Sequence, residues 1–355
     1  MKSKRRNAVL PTIQAWPAEG LEEIKKCPVC NGLERRRIYT GLTDRVFRCA
    51  RGYWDVYQCN ACQTAYLDPR PTEATISMAY ETYYTHKSPK EKKLEDVTFL
   101  RRMQSMFVNG YRNRCFGSNL KPASRVAGIL LSKTPLISEF LDRQLRFLPP
   151  VKPGGRLLDV GAGNGDFLLL ARRIGWQASG VDIDPVAAEN AYKAGIEVRQ
   201  GRIEAVSDLS ETFDVITMSH VLEHVHDPAG TLLWAYAALK PGGVLYIETP
   251  NIDAYGHFRF KEHWRGLEIP RHLVLFNWQS MIELLEKAGF QKCICFPIAW
   301  TYASMAAKSR AMQSGCDPYL SARPRLVDKL ISISWFGSFL RAKNESEFIT
   351  LIAHK

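Results

Sequence analysis

Between residue 156 and about residue 299, short apolar runs alternate with stretches in which apolar residues recur every three to four positions. Arg156-Leu-Leu-Asp-Val160 reads as a buried strand, and Phe167-Leu-Leu-Leu-Ala171 as the helix after it. Gly180-Val-Asp-Ile-Asp-Pro185 carries the end of a second strand, Asp214-Val-Ile-Thr-Met218 a fourth, and Val244-Leu-Tyr-Ile-Glu248 a fifth. This alternation predicts an α/β fold with a doubly wound parallel sheet. Upstream the pattern is helical, over 76–84, 94–111 and 123–147. Val126-Ala-Gly-Ile-Leu-Leu131, Leu136-Ile137 and Phe140-Leu141 are apolar at helical spacing, which favours core packing. Arg125, Lys133, Arg143 and Arg146 flank them, leaving lipid contact as the alternative. Pro149-Pro150 and Pro153-Gly-Gly155 separate this segment from the α/β domain.

The turn after the first strand, Asp159-Val-Gly-Ala-Gly-Asn-Gly165, is a cofactor loop. Glycines at 161, 163 and 165 allow positive φ and let a ligand press on the backbone. The helix start behind them favours a polar or anionic group. A dinucleotide fingerprint needs Gly-x-Gly-x-x-Gly, but Asp166 stands at the third glycine's place. Gly-x-Gly-x-Gly with an acid two residues ahead instead resembles motif I of class I S-adenosylmethionine (SAM) methyltransferases. Asp182, 21 residues beyond Gly161, and Leu239-Lys-Pro-Gly-Gly243 follow in that family's order. The resemblance implies SAM as cofactor and a seven-stranded Rossmann-like sheet. It assigns cofactor contacts to Asp159, Gly161, Ala162, Gly163, Gly165, Asp182, Ile183, Ile203 and Ser219. It also implies a closing antiparallel hairpin, for which 292–297 and 347–354 are suited, with about 300–345 inserted between them. One departure is Gly201-Arg-Ile203, where many relatives carry Gly-Asp-Ala and so an acid near the adenine.

Two Cys-x-x-Cys turns, Cys27-Pro-Val-Cys30 and Cys59-Asn-Ala-Cys62, precede all of this. Four thiolates so arranged complete a tetrahedral zinc site, whereas a redox pair explains only one of the turns. They predict a zinc-ribbon-like structural module over 21–75, with hairpin strands at 45–47 and 53–57. The domains then run as a mobile tail (1–20), the zinc module, a helical segment (76–150) and the methyltransferase domain (151–355). Nine cysteines without a signal-type start argue against a disulfide framework. No apolar run approaches the roughly 18 residues of a membrane span, so a cytoplasmic protein is expected.

Charge sharpens the partner question. The net +12 falls wholly in residues 1–150, which hold 26 Lys+Arg and 14 Asp+Glu. That favours an anionic partner: RNA, a phosphorylated or nucleotide-linked substrate, or an acidic membrane surface. A plain solvated basic surface is the alternative.

The reaction chemistry follows strand four, in Ser219-His-Val-Leu-Glu-His-Val-His-Asp-Pro228. Ligands bind beyond the carboxyl ends of such strands, and histidine suits proton transfer near neutral pH. On a helix, His220, Glu223 and His224 would share one face. His220 or His224 reads as a general base oriented by Glu223; divalent-metal ligation and a purely structural tie are the alternatives. Ubiquinone-biosynthesis O-methyltransferases look similar here, with a Glu-Met-Leu-Glu-His run that binds magnesium, but His220 replaces their first Glu. After strand five, His263-Trp-Arg-Gly-Leu-Glu-Ile-Pro-Arg-His272 reads as a roof over the substrate, with His272 a second candidate base. Its arginines suit an anionic group and its tryptophan a ring or sugar, although Arg265 and Glu268 read first as a salt bridge. This run resembles methyltransferases of polysaccharide and natural-product pathways. Together these features imply methyl transfer to a hydroxyl or carbon of a small-molecule or glycan- or lipid-linked metabolite. An RNA methyltransferase is the alternative.

Overall fold

The computed structural model describes residues 15–80, 99–206, 208–296, 298, 300–334 and 343–355. The expected tail (1–20), the helices at 76–84 and 94–111, the strand at 292–297 and the insertion at 300–345 lie partly outside these residues.

The N-terminal part holds β1 (Leu21–Glu22), β2 (Arg35–Leu42), β3 (Trp54–Cys59), β4 (Ala65–Leu67) and β5 (Arg70–Pro71). No strand forms at 45–47. There the Asp44 carboxylate accepts hydrogen bonds from the amides of Val46, Phe47, Cys49 and Ala50, which curls the chain into a turn. Next come α1 (Phe99–Phe116), α2 (Arg125–Ser132) and α3 (Pro135–Gln144). The single helix expected at 123–147 is thus two, because Thr134-Pro135 starts afresh with proline at the first helical position.

The α/β domain runs β6 (Arg156–Val160), α4 (Asp166–Ile174), β7 (Gln177–Asp182), α5 (Pro185–Lys193), β8 (Val198–Gln200), β9 (Phe213–Ser219), α6 (Pro228–Ala238) and β10 (Leu239–Pro250). It continues with α7 (Tyr255–Phe260), β11 (Val274–Leu275), α8 (Trp278–Lys287), β12 (Lys292–Cys295), α9 (Thr301–Gln313), α10 (Leu326–Ser334) and β13 (Phe348–His354). The seven-stranded sheet has the order β12-β13-β10-β9-β6-β7-β8. Its β6–β10 members are parallel and β13 is antiparallel to both neighbours. Alternation along β6 sends Leu157 and Leu158 into separate apolar clusters, as a sheet covered on both faces requires.

The cysteine-bearing part is not a separate lobe. Strand β11, from the loop after β10, pairs with β4 and completes a four-stranded sheet β11-β4-β3-β2. Trp54, Val56 and Tyr66 share one apolar core with Ile247, Leu275 and Phe276.

Candidate functional site

The three loop glycines all take positive φ, at +72°, +52° and +83° for Gly161, Gly163 and Gly165. A Cβ at Gly161 would stand 2.7 Å from Val221 Cγ2, and one at Gly165 the same distance from Ile196 Cδ1. The turn is locked to β7: the Gly161 and Ala162 amides donate to Val181 O, and Gly163 N donates to Asp182 Oδ2 at 2.7 Å. Asp184 N donates to Asp182 Oδ1, so each carboxylate oxygen holds one amide and keeps a lone pair. Burial pushes the Asp182 carboxyl upward, against the two amides that favour its ionised form. Of the other residues assigned to the cofactor, Ala162 is buried, Ile203 and Ser219 are half-buried, and Ile183 is exposed.

Asp159 is fully buried at the end of β6. Its Oδ1 accepts from Arg146 and from Thr217 Oγ1, while Oδ2 has no partner. Arg146 lies over the Phe167 ring at 3.7 Å. Arg143, three residues earlier in α3, grips Glu248 of β10 through two hydrogen bonds of 3.2 and 3.3 Å. These arginines close the carboxyl edge of the sheet. Their spacing of three, at the end of the last helix before Pro149-Pro150, is the one signal by which sequence reading could have assigned them to the site.

His220 ends β9 with φ +57°, in the left-handed region a non-glycine residue seldom enters. Its amide donates to Glu248 O at 2.7 Å, which holds the turn. The imidazole Nδ1 meets Glu223 Oε1 at 3.1 Å, and Nε2 lies 3.5 Å from Glu248 Oε1. Glu223 is fully buried, its Oε2 accepting from Thr249 Oγ1 at 2.8 Å, whereas the His220 side chain is 40 % exposed. Burial depresses the imidazole, but the hydrogen bonds and charges of Glu223 and Glu248 outweigh it and raise it to about 9. Glu223, resisting its own burial through His220, falls to about 2.

The helical face expected for His220, Glu223 and His224 does not form. Leu222–His224 is one 3-10 turn, and His224 points the other way. Its Nδ1 contacts Arg271 O at 2.9 Å and the Tyr80 hydroxyl at 3.0 Å, and its ring packs against His272 at 4.8 Å. His272 is likewise inside, 5 % exposed, with Nδ1 on Gly266 O at 2.7 Å. Burial drives it to about 3, so it is neutral and shielded from a substrate. The roof residues are spent on structure. Arg265 pairs with Glu268; fully buried Arg271 bridges Glu268 and Asp44; Trp264 donates to Glu347 Oε2 at 2.6 Å. Neither arginine nor the tryptophan faces a ligand, because completing the shared sheet through β11 pulls this loop into the core.

A family model described as a methyltransferase domain matches residues 134–293. The ubiquinone biosynthesis O-methyltransferase of Cereibacter sphaeroides is 30 % identical over 192 residues, 49 % of this chain and 76 % of that protein. The chain belongs to the SAM-dependent methyltransferase family. The Xanthomonas campestris ubiquinone biosynthesis O-methyltransferase is 36 % identical over 107 residues, 28 % of this chain but only 44 % of that protein. A solved phosphoethanolamine N-methyltransferase 2 of Haemonchus contortus, with S-adenosyl-L-methionine, is 20 % identical over 74 % of this chain and 60 % of its own, with a TM-score of 0.42.

In this methyltransferase-family chain the cysteines converge as well. Cys27 and Cys62 Sγ lie 3.6 Å apart, Cys30 and Cys59 Sγ 3.5 Å, and all four within 4.8 Å of one another. Gly32 N donates to Cys30 Sγ. Glu223, His224 and His272 also bring ligand atoms within 4.8 Å, so the trio the structure gathers swaps His220 for His272. No helix among the described residues is long and apolar enough to cross a membrane.

Proposed function

We propose that the chain is a SAM-dependent O-methyltransferase acting on an acidic, phenol-type hydroxyl of a small or lipid-linked acceptor, with His220 as general base. The placement of a reachable His220 between two buried carboxylates, beside the glycine loop, carries this reading.

The crevice fits SAM. Asp159 Oδ2, buried and without a partner, suits the cofactor's ammonium group; the spare lone pairs of Asp182 suit ribose hydroxyls. Exposed Ile183 and half-buried Ile203 offer apolar surface to the adenine. When bound, SAM supplies a methyl group on a sulfonium for in-line displacement. The protein's own task is alignment and the acceptor proton. His220 Nε2, too far from Glu248 for a good hydrogen bond, takes that proton while Nδ1 stays on Glu223. A phenol ionises near about 10, close to the value of about 9 at His220, so the transfer is nearly balanced. An aliphatic alcohol is far too weak an acid for the same base.

The relatives' naming for O-transfer agrees with this reading. Against RNA stand the engaged cations of the N-terminal sheet: Arg35 pairs with Asp68 and stacks on Tyr57, Arg37 pairs with Asp55, and Arg70 with Glu22. Methyl transfer from labelled SAM should reach phenolic acceptors and neither aliphatic alcohols nor ribosomal RNA; label in the RNA would overturn the assignment.

We further propose a structural zinc on Cys27, Cys30, Cys59 and Cys62. Zn–S bonds of about 2.3 Å set tetrahedral sulfurs about 3.8 Å apart, close to the two distances found. Metal analysis should find one zinc per chain, lost in Cys59→Ser; a zinc-free protein of unchanged stability would refute it.

A further inference from the structure

Helix α10 is amphipathic in reverse. Its buried positions are Asp328 and Ser332, while Leu326, Val327, Leu330 and Ile333 are 73, 50, 56 and 46 % exposed. The inward polar side is a latch. Asp328 forms a two-pronged ion pair with Arg310 of α9 and accepts from Arg325 N at 3.0 Å. Ser332 Oγ accepts from Ala303 N at 3.2 Å and donates to Asp328 O at 3.0 Å. This latch fastens α10 by its polar side and turns four large apolar side chains to the outside. A clustered apolar face of that kind marks an interaction surface.

The surrounding charge identifies the partner. The one acid of α10, Asp328, is already consumed by Arg310, whereas Arg323, Arg325 and Lys329 in and just before the helix are basic. Arg323, Arg325 and Lys329 are exposed beside the apolar face. An apolar helix face bordered by these cations is complementary in charge and in polarity to an anionic bilayer surface. We propose that α10 docks the protein on an anionic membrane, with Leu326, Val327, Leu330 and Ile333 entering the interfacial region. Helix α9 ties this face to the loop after β10, since Ser309 Oγ accepts from Arg265 N at 3.0 Å. The surface assignment stands whatever the acceptor proves to be.

The test is co-sedimentation of the full chain with phosphatidylcholine vesicles, with and without phosphatidylglycerol. The wild type should bind anionic vesicles at least about tenfold more tightly than neutral ones. Leu326→Asp with Leu330→Asp should lose at least about tenfold of that binding at an unchanged unfolding temperature. Replacing Arg323, Arg325 and Lys329 by Gln should erase the preference for anionic lipid while leaving the fold intact. Three results would overturn the proposal: a wild type that ignores anionic vesicles, variants that bind as it does, or lipid-independent self-association abolished by the leucine changes, which would assign the face to a second copy.

Discussion

His220 and His272 both lie beside glutamates, yet their surroundings drive their proton affinities in opposite directions. At His220 the side chain is 40 % exposed, and Glu223 carries no competing ion pair among the described residues. Two carboxylates therefore overcome burial and raise it to about 9. At His272 burial wins: Glu268 and Glu223 pull the imidazole up, but its Nδ1 sits on Gly266 O rather than on a carboxylate and Arg265 opposes its charge, so it falls to about 3. A carboxylate strengthens a base most where it also hydrogen-bonds the ring, as Glu223 does at His220. The first region is the one to which we assign proton transfer; the second is a buried ionic lock between the N-terminal sheet and the α/β domain.

Substitution at His220 is expected to give the largest effect. His220→Ala should lower kcat about 10²–10⁴-fold, the usual worth of a positioned base, while chemical denaturation shows little change. A kcat within about threefold of wild type would remove His220 from the chemistry. Arg271→Ala addresses the other region. It strands Asp44 as a buried charge without a cationic partner and leaves Glu268 with Arg265 alone, so the unfolding free energy should fall by about 3–5 kcal/mol. A loss below about 1 kcal/mol would mean that the lock is not closed.

The division between these regions was only partly legible in sequence. The glycine loop, Asp182 and the parallel sheet could be placed because their signals are local: spacing, strand alternation and turn residues. His220 was picked out from its position after strand four, but not its partner Glu248, which reads as an ordinary strand residue until Arg143 and His220 converge on it. The error at His272 has a topological cause. Nothing near residue 272 announces that Val274–Leu275 will pair with Ala65 and Tyr66. That long-range pairing is what draws Trp264, Arg271 and His272 inward. The same pairing dissolved the expected boundary near residue 75, since two segments sharing a sheet and a core are one unit. At His220, Glu223 and His224, helical spacing misled because the left-handed backbone at His220 breaks the helix before it starts.

Removing the charge on Glu223 sharpens the comparison without deleting the base. In Glu223→Gln the imidazole keeps a hydrogen-bond partner but loses one of its two carboxylates. The rising limb of kcat/KM against pH, expected near 9 in the wild type, should move down by at least about one unit. The variant would then gain on the wild type at neutral pH relative to its own maximum. Coincident limbs would place the titration elsewhere.

The smallest expected effect is a change of slope in stability against pH. His272 has a folded value of about 3, below its ordinary 6.5. The unfolded chain therefore takes up this proton first on acidification. The stability it contributes is present above pH 6.5 and is lost as pH falls toward 3. His220 has the opposite sign: its contribution is complete below pH 6.5 and lost as pH rises toward 9. Between pH 6.5 and 5.5 the unfolded glutamates remain mostly ionised, while Glu347, pushed up to about 7 by burial, is protonated in the native protein. His226, His257, His263 and His354 are also pushed down, so only the difference between proteins isolates His272. His272→Asn should flatten the acid limb in that window by up to about 1.4 kcal/mol per pH unit. Equal slopes would mean that His272 is protonated in the native protein, and its burial could no longer be what separates it from His220.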